Sequence, residues 1–177
     1  ACGEDLPRGP VQFSRWETGT INFEGLAGIR ATVEYIASLG TRFGGASEAA
    51  TLRERIVAGY DTIQNHEARL SKTCLTGVKG IPGLRLFGVS DPDSTPARRT
   101  PTFCVRLDNF ASAPDLMDAL LEKKITCGAG HFYAIYVARD LGLNPTGGYV
   151  RIGFVHYNTV EEVDRVVDVL KSLASED

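Results

Sequence analysis

Apolar residues in the first part of the chain recur at helical spacing. Steps of three and four between Asn22 and Leu39 predict a helix that Asn22 caps and Gly40 ends. A second, longer helix is predicted after the cap residue Ser47 and is expected to run to about Lys72. Its apolar positions, with charged residues between them, are Leu52, Ile56, Tyr60, Ile63 and Leu70. The two helices form a long helical segment ahead of the remaining chain.

The rest of the chain alternates strand patterns with helical patterns. Strands are predicted at Leu84–Val89, Thr102–Leu107, Ile125–Cys127 and Val150–Phe154, with a polar loop from Asp91 to Pro101. Helices are predicted at Ala113–Lys123, at Phe132–Leu141 and after a capping box formed by Thr159 and Glu162. This order predicts an α+β, two-layer fold: a small mixed sheet, with helices packed mainly on one face, preceded by the long helical segment.

Composition excludes several classes of function. The chain has 177 residues, 43% of them hydrophobic, which suits one buried core. A net charge of −3 does not favour nucleic acid or anionic membranes, and the apolar runs fall short of the roughly 20 residues of a membrane span. The first residues lack the features of a signal peptide, so a cytoplasmic location is predicted. The four cysteines have no CxxC spacing, so reduced thiols and no metal site are predicted; they are Cys2, Cys74, Cys104 and Cys127.

A candidate phosphate-binding segment, Arg15–Asn22, stands directly before the first predicted helix. Backbone N–H groups at a helix start, the flexible Gly19 and the hydroxyl of Thr20 all suit a phosphate. The alternative is that Thr20 or Asn22 only caps the helix.

Arg151 lies within an otherwise apolar strand. On a period of two it shares a face with Tyr149 and Gly153, opposite the apolar positions. An arginine there either belongs to a solvated face or binds a substrate carboxylate through two N–H groups. Gly153 would leave room for a ligand on that face.

Small residues followed by aromatic residues form a second candidate segment, Gly128–Ala134, which includes His131 and Tyr133. Glycine permits unusual dihedral angles, as in active-site loops. The same composition also suits a tight turn between a strand and a helix. The segment His156–Thr159 is equally open to either interpretation.

Taken together, these segments resemble the class V aminotransferases, and within them the cysteine-desulfurase branch. The resemblance is carried by Arg15–Thr20, by the helix containing Leu26–Ile29, and by the closing segment Val150–Asp164 with its Tyr157-Asn158-Thr159 turn. It extends over nearly the whole chain in the correct order.

The resemblance implies a dimeric fold-type I enzyme that uses pyridoxal 5'-phosphate (PLP) and acts on an amino acid as its small-molecule substrate. Residues 1–22 would be an arm with the phosphate-contacting segment, and residues 23–177 the small C-terminal domain. It implies that Gly19 and Thr20 contact the cofactor phosphate across the dimer interface. It also implies that Arg151 binds the substrate's α-carboxylate, with His131 and Tyr133 in the neighbouring loop.

The sequence departs from the family's pattern in two places. Tyr133 stands where sulfur-transferring members carry a persulfide-forming cysteine, and Cys127 is interpreted as a structural thiol rather than a substitute. The family's covalent lysine lies upstream of the Arg15–Thr20 segment, whereas the first lysine here is Lys72. The isolated chain is therefore expected to be inactive. Alternatives left open are a non-catalytic interaction or regulatory module that keeps the small-domain fold, and part of a true aminotransferase.

Overall fold

The computed structural model describes residues 19–94 and 99–176. The predicted N-terminal arm, the Arg15–Thr18 part of the phosphate segment and part of the predicted polar loop lie outside these ranges. The chain divides into two compact units, residues 1–60 and 61–177. None of the described helices combines the length and hydropathy needed to cross a membrane.

The described part of the chain contains five α-helices, four strands and two short 3₁₀ helices, Pro92–Ser94 and Asn144–Thr146. The helices are α1 (Phe23–Phe43), α2 (Leu52–Val78), α3 (Ala113–Glu122), α4 (Ile135–Asp140) and α5 (Val160–Ala174). The strands are β1 (Leu84–Phe87), β2 (Thr102–Leu107), β3 (Gly128–Gly130) and β4 (Tyr149–Gly153). The α+β class is confirmed.

In the first unit, α1 packs closely against the beginning of α2. The prediction that Gly40 ends α1 is wrong, because this glycine lies at the contact between the two helices. A methyl group added to it would be 2.0 Å from the carbonyl oxygen of Arg55. On the facing helix, a methyl group added to Gly59 would be 2.1 Å from the carbonyl oxygen of Ile36. Two glycines therefore let the backbones approach each other, and α1 continues to Phe43.

The helix starts of the first unit are set by side-chain caps. The predicted cap of α1 is confirmed, since the Asn22 side chain accepts a 2.7 Å hydrogen bond from the Gly25 N–H. The prediction that Ser47 caps α2 is wrong. Thr51 caps α2 by accepting from the Glu54 N–H at 3.3 Å, while the Glu54 carboxylate accepts from the Thr51 N–H at 2.8 Å. Ser47 instead accepts from the Ala49 N–H in the preceding turn.

The second unit is built on a four-stranded sheet in the order β1-β2-β4-β3. Each neighbouring pair is antiparallel, so the predicted mixed sheet is wrong. The crossover that the sequence predicts does exist, because the chain runs from β2 through α3 to β3. However, β4 lies between β2 and β3 and pairs with both, so the two parallel strands never become neighbours.

The strand and helix around Gly128 begin later than predicted. Strand β3 occupies Gly128–Gly130 rather than Ile125–Cys127, because Ile125 lies in the core and its N–H donates to Leu120 at the end of α3. Helix α4 begins at Ile135 rather than at Phe132. Phe132 has φ +48° and the residue after it φ +67°, values that a right-handed helix excludes.

One face of the sheet carries the main core. Phe103, Val105 and Leu107 of β2 are buried there with Val150 and Ile152 of β4. Residues of α2, α3 and α5 complete this cluster, which confirms helices mainly on one face. The predicted capping box of α5 and its buried stripe are confirmed; the stripe consists of Val163, Val166, Val167, Leu170 and Leu173.

We expect Gly40→Ala and Gly59→Ala to lower the free energy of unfolding by about 1–3 kcal/mol or more, because the added methyl groups overlap the facing backbone. Urea unfolding followed by circular dichroism measures this change. Gly28→Ala in α1 is the matched control: nothing lies within 4 Å of its added methyl group. It should be neutral or stabilise the chain by about 0.5–1 kcal/mol through helix propensity. Equal effects at all three glycines would contradict this account of the helix contact.

Candidate functional site

The sheet face opposite the main core carries Arg151. In the register of the sheet, Arg151 of β4 lies between Cys104 of β2 and Gly128 of β3. The burial along β4 confirms the predicted alternation, since Val150 and Ile152 are buried whereas Arg151 and Gly153 are exposed. Tyr149 shares this face and is covered by its own small apolar cluster.

The Arg151 guanidinium stacks on the ring of Phe132, with its central carbon 3.9 Å from the ring centroid. The nearby Arg106 is different: it is buried and donates to the backbone carbonyls of Thr146 and Phe110 at 3.2 and 3.1 Å. None of the ion pairs within residues 19–94 and 99–176 includes Arg151. Arg151 thus presents an exposed cation that lies against the Phe132 ring and takes part in none of these ion pairs.

The segment after β3 brings Phe132 to Arg151 through an unusual backbone. Phe132 and Tyr133 have φ of +48° and +67°, in the left-handed region that side chains disfavour. The Tyr133 N–H donates to Nδ1 of His131 at 3.1 Å, and the Ala134 N–H donates to the His131 carbonyl at 2.8 Å. Strained conformations of this kind concentrate at functional sites.

The predicted site residues of this loop flank the stack. The Tyr133 side chain is 97% exposed, and His131 is exposed on the other side of Phe132. The ring stacked on Arg151 belongs to Phe132, between these two residues. Substrate binding by His131, Tyr133 and Arg151 stays a prediction.

Apolar contacts hold the Phe132 ring in place. The Tyr149 ring lies 5.8 Å from it, centroid to centroid, and the Phe87 ring lies 6.3 Å from that of Tyr149. Gly128 lies directly against the ring, since a methyl group added there would be 3.1 Å from Cε1 of Phe132. A side chain at position 128 would therefore crowd the ring.

Two groups beside Arg151, the Cys104 thiol and the Tyr149 phenol, are neutral. Burial raises the pKa of the Cys104 thiol, against the opposing effects of Arg151, Arg99 and a hydrogen bond with Tyr149. Burial also raises the pKa of Tyr149. Both groups are thus protonated at neutral pH, so neither of the two competes with an anion for Arg151. The described residues contain no group of three or more His, Cys, Asp or Glu side chains placed to hold a metal ion.

In the first unit, the described end of the phosphate segment precedes α1. Gly19 and Thr20 are exposed, and among the described residues, the chain neighbours of Gly19 aside, nothing lies within 4 Å of the position of a Cβ on Gly19. Asn22 makes the cap, so α1 does not need the Thr20 hydroxyl for that purpose. The N–H groups of a first helical turn, an open glycine and a hydroxyl fit a phosphate group such as that of PLP. Phosphate binding stays a prediction.

The sequence places Gly128 and Phe132 in the candidate segment Gly128–Ala134 but predicts no contact with Arg151 for either, and it gives Cys104 no part in the site. It also predicts that a helix starts at Phe132. The signal that was available is the period of two, which puts Gly128 and Gly130 on one side of a short strand and leaves space for a ring there.

A comparison with known families matches residues 42–166 to the family described as Aminotransferase class-V. A probable cysteine desulfurase of Methanothermobacter thermautotrophicus is 26% identical over 172 residues, which is 97% of this chain and 35% of that protein. The probable cysteine desulfurase 1 of Mycobacterium leprae is 33% identical over 134 residues, which is 73% of this chain and 19% of that protein. The chain thus spans about a third or less of the length of these relatives.

Solved structures share the fold. The cysteine desulfurase CsdA (S-sulfonic acid) of Escherichia coli matches with a TM-score of 0.62 and 20% identity, over 89% of this chain and 32% of that one. The apo cysteine desulfurase of Thermococcus onnurineus NA1 matches with a TM-score of 0.58 and 23% identity, over 70% and 28%.

We expect the thiols of the second unit to alkylate slowly at neutral pH. Burial raises the pKa of Cys104 and Cys127, and raises that of Cys74 to about 12. A raised pKa keeps a thiol protonated to higher pH, and only the thiolate reacts. The rate of alkylation by iodoacetamide can be measured for each cysteine peptide by mass spectrometry. For these three thiols it should still rise with pH at values where the alkylation rate of free cysteine has become constant. The urea-unfolded chain is the control. If the alkylation rate of Cys127 instead stopped rising at a lower pH than that of free cysteine, Cys127 would be an activated thiol.

Proposed function

The chain belongs to the class V aminotransferase family, and we propose that it forms the C-terminal part of a PLP-dependent enzyme that acts on an amino acid. The proposed reaction class is that of the cysteine desulfurases, a C–S lyase reaction or a related one. The observation that carries the proposal is Arg151, an exposed and stacked guanidinium beside two neutral groups on the free face of the sheet.

An amino-acid substrate offers a carboxylate, and Arg151 suits that group. A guanidinium presents N–H donors in one plane, which matches the two oxygens of a carboxylate. The contact of the guanidinium with the Phe132 ring uses no donor on a protein acceptor. Gly153 on the same strand face has only the Thr102 hydroxyl near its Cβ position, at 3.8 Å, so a ligand can come close to the backbone there.

The loop beside Arg151 favours a reaction without a persulfide on this chain. The Tyr133 side chain is exposed, and a phenol cannot carry a persulfide sulfur. Cys127 is half-buried, and burial raises its pKa, which does not suit a sulfur carrier. We therefore propose that His131 and Tyr133 contact the substrate and that any sulfur leaves by another route.

The cofactor's phosphate is proposed to lie on Gly19 and Thr20, ahead of α1. Bound PLP supplies an electron sink for the substrate's α-carbon. The proposal includes a cytoplasmic homodimer, in which these residues serve the cofactor across the dimer interface. It also includes the inactivity of the isolated chain. None of its five lysines, at 72, 79, 123, 124 and 171, has the family's sequence context, and the amino group of Lys72 pairs with Asp93 at 2.8 Å.

We expect no lysine of the isolated chain to react selectively with PLP. Borohydride reduction after incubation with PLP, followed by peptide mass spectrometry, should find only low and scattered labelling. Free lysine at the same concentration gives the background level. Stoichiometric labelling of one lysine, abolished by its replacement with arginine, would show that the chain carries its own covalent anchor.

We expect Arg151 to bind a carboxylate in the isolated chain, with an affinity in about the millimolar range. Titration with L-alanine, followed by NMR of the backbone amides of Cys104 and Gly128, should give a saturable shift that L-alaninamide does not give. Arg151→Lys should weaken binding about 10-fold or more, nearly as much as Arg151→Ala, because lysine keeps the charge but loses the planar pair of donors.

The matched control is Arg85→Lys. Arg85 is exposed on β1, on the same sheet face, and stacks on Phe87 at 5.3 Å. The Arg85→Lys substitution should leave the L-alanine titration unchanged. If L-alanine binds Arg151→Ala as it binds the unmodified chain, Arg151 is an ordinary solvated arginine and the proposed role is wrong.

A further inference from the structure

We propose that Phe132 is a positioning residue for Arg151: its ring holds the guanidinium flat, so that the N–H edge is presented to a carboxylate before any ligand binds. This inference rests on the proposed carboxylate-binding role of Arg151. It adds a residue from outside the strand: Phe132 lies in the candidate segment Gly128–Ala134, but its side chain has no polar group with which to bind a carboxylate itself.

The geometry of the stack supports this role. At 3.9 Å between the guanidinium carbon and the ring centroid, the contact is a close cation–π stack. A contact with an aromatic ring uses no N–H donor on a protein carbonyl or carboxylate, so the donors stay available to a ligand. A hydrogen bond from a carbonyl would also hold the group, but it would use a donor, as the bonds of Arg106 to Thr146 and Phe110 do.

The ring is itself fixed from several directions. Gly128 leaves space for it on β3, and Tyr149 packs against it at 5.8 Å. The backbone takes a left-handed φ at Phe132 to direct the ring there. An unfavourable backbone conformation persists only where the surroundings hold it, and here these surroundings are the Gly128 space and the Tyr149 ring.

Fixing the guanidinium in advance strengthens binding. An exposed arginine samples many rotamers, and ordering it on binding lowers the affinity. When Phe132 already selects the orientation, the ligand does not have to order the side chain. A ring that acted only as core packing would have no such effect on affinity.

The test uses the 177-residue chain with L-alanine as the probe and the Arg151 Nε–Hε signal as a second readout. Phe132→Leu keeps an apolar side chain against Tyr149 but removes the π face, whereas Phe132→Tyr keeps the ring. We expect Phe132→Leu to weaken L-alanine binding about three-fold or more and to abolish the ring-current shift of the Arg151 signal. Phe132→Tyr should retain both.

Gly128→Val tests the same contact without changing Phe132. Valine suits a strand, but its side chain occupies the space of the ring, so it should reproduce the loss of affinity and of the ring-current shift. This variant decides the matter where Phe132→Leu does not fold, as judged by its amide fingerprint and melting temperature.

The outcomes separate the two proposals. If Arg151→Ala abolishes binding while folded Phe132→Leu and Gly128→Val bind L-alanine like the unmodified chain, the positioning role of Phe132 is overturned and the carboxylate role of Arg151 stands. If Arg151→Ala leaves binding unchanged, the carboxylate role fails, and the positioning role fails with it. Weakened binding in Phe132→Leu with retention in Phe132→Tyr supports the inference.

Discussion

The pairing of β4 with strands on both of its sides is the constraint on which the second unit depends. Arg151 lies opposite Cys104 on one side and Gly128 on the other, so its register is fixed twice. A slip by one residue would turn Arg151 into the core and bring Val150 and Ile152 into water. The burial of those two apolar side chains therefore holds Arg151 in place. The position of Arg151 on one face of the sheet thus depends on the packing of the main core on the other face.

The elements that the sequence predicts well are those whose signals are local. The capping box at Thr159 and the apolar stripe that follows it define α5 without reference to any other element. The alternation along β4 is local in the same sense. By contrast, Gly40 has the usual signature of a helix end, and only the facing α2 backbone explains why α1 continues through it.

The residues of the candidate site also differ in whether their signals in the sequence are local. Arg151, His131 and Tyr133 could be selected from the sequence because an arginine in an apolar strand and a small-residue loop are visible there. The role of Phe132 depends on two facts that are not local: strand β3 pairs beside β4, and the residue opposite Arg151 is a glycine. The predicted helix at Phe132 failed for the same reason, since the contact with Arg151 and Tyr149 holds its backbone at a positive φ.

The two proposed anion sites differ in how much order they need before binding. At Gly19 and Thr20, just ahead of α1, the donors would be backbone N–H groups and a short hydroxyl side chain, which have few rotatable bonds to order on binding. At Arg151 the donor is a long side chain whose freedom opposes binding unless a neighbour removes it. A helix start therefore needs no supporting residue, but an exposed arginine on a strand does. Three features together provide that support: the Phe132 ring, the glycine at position 128 that leaves space for it, and the positive φ at Phe132 that directs the ring into that space.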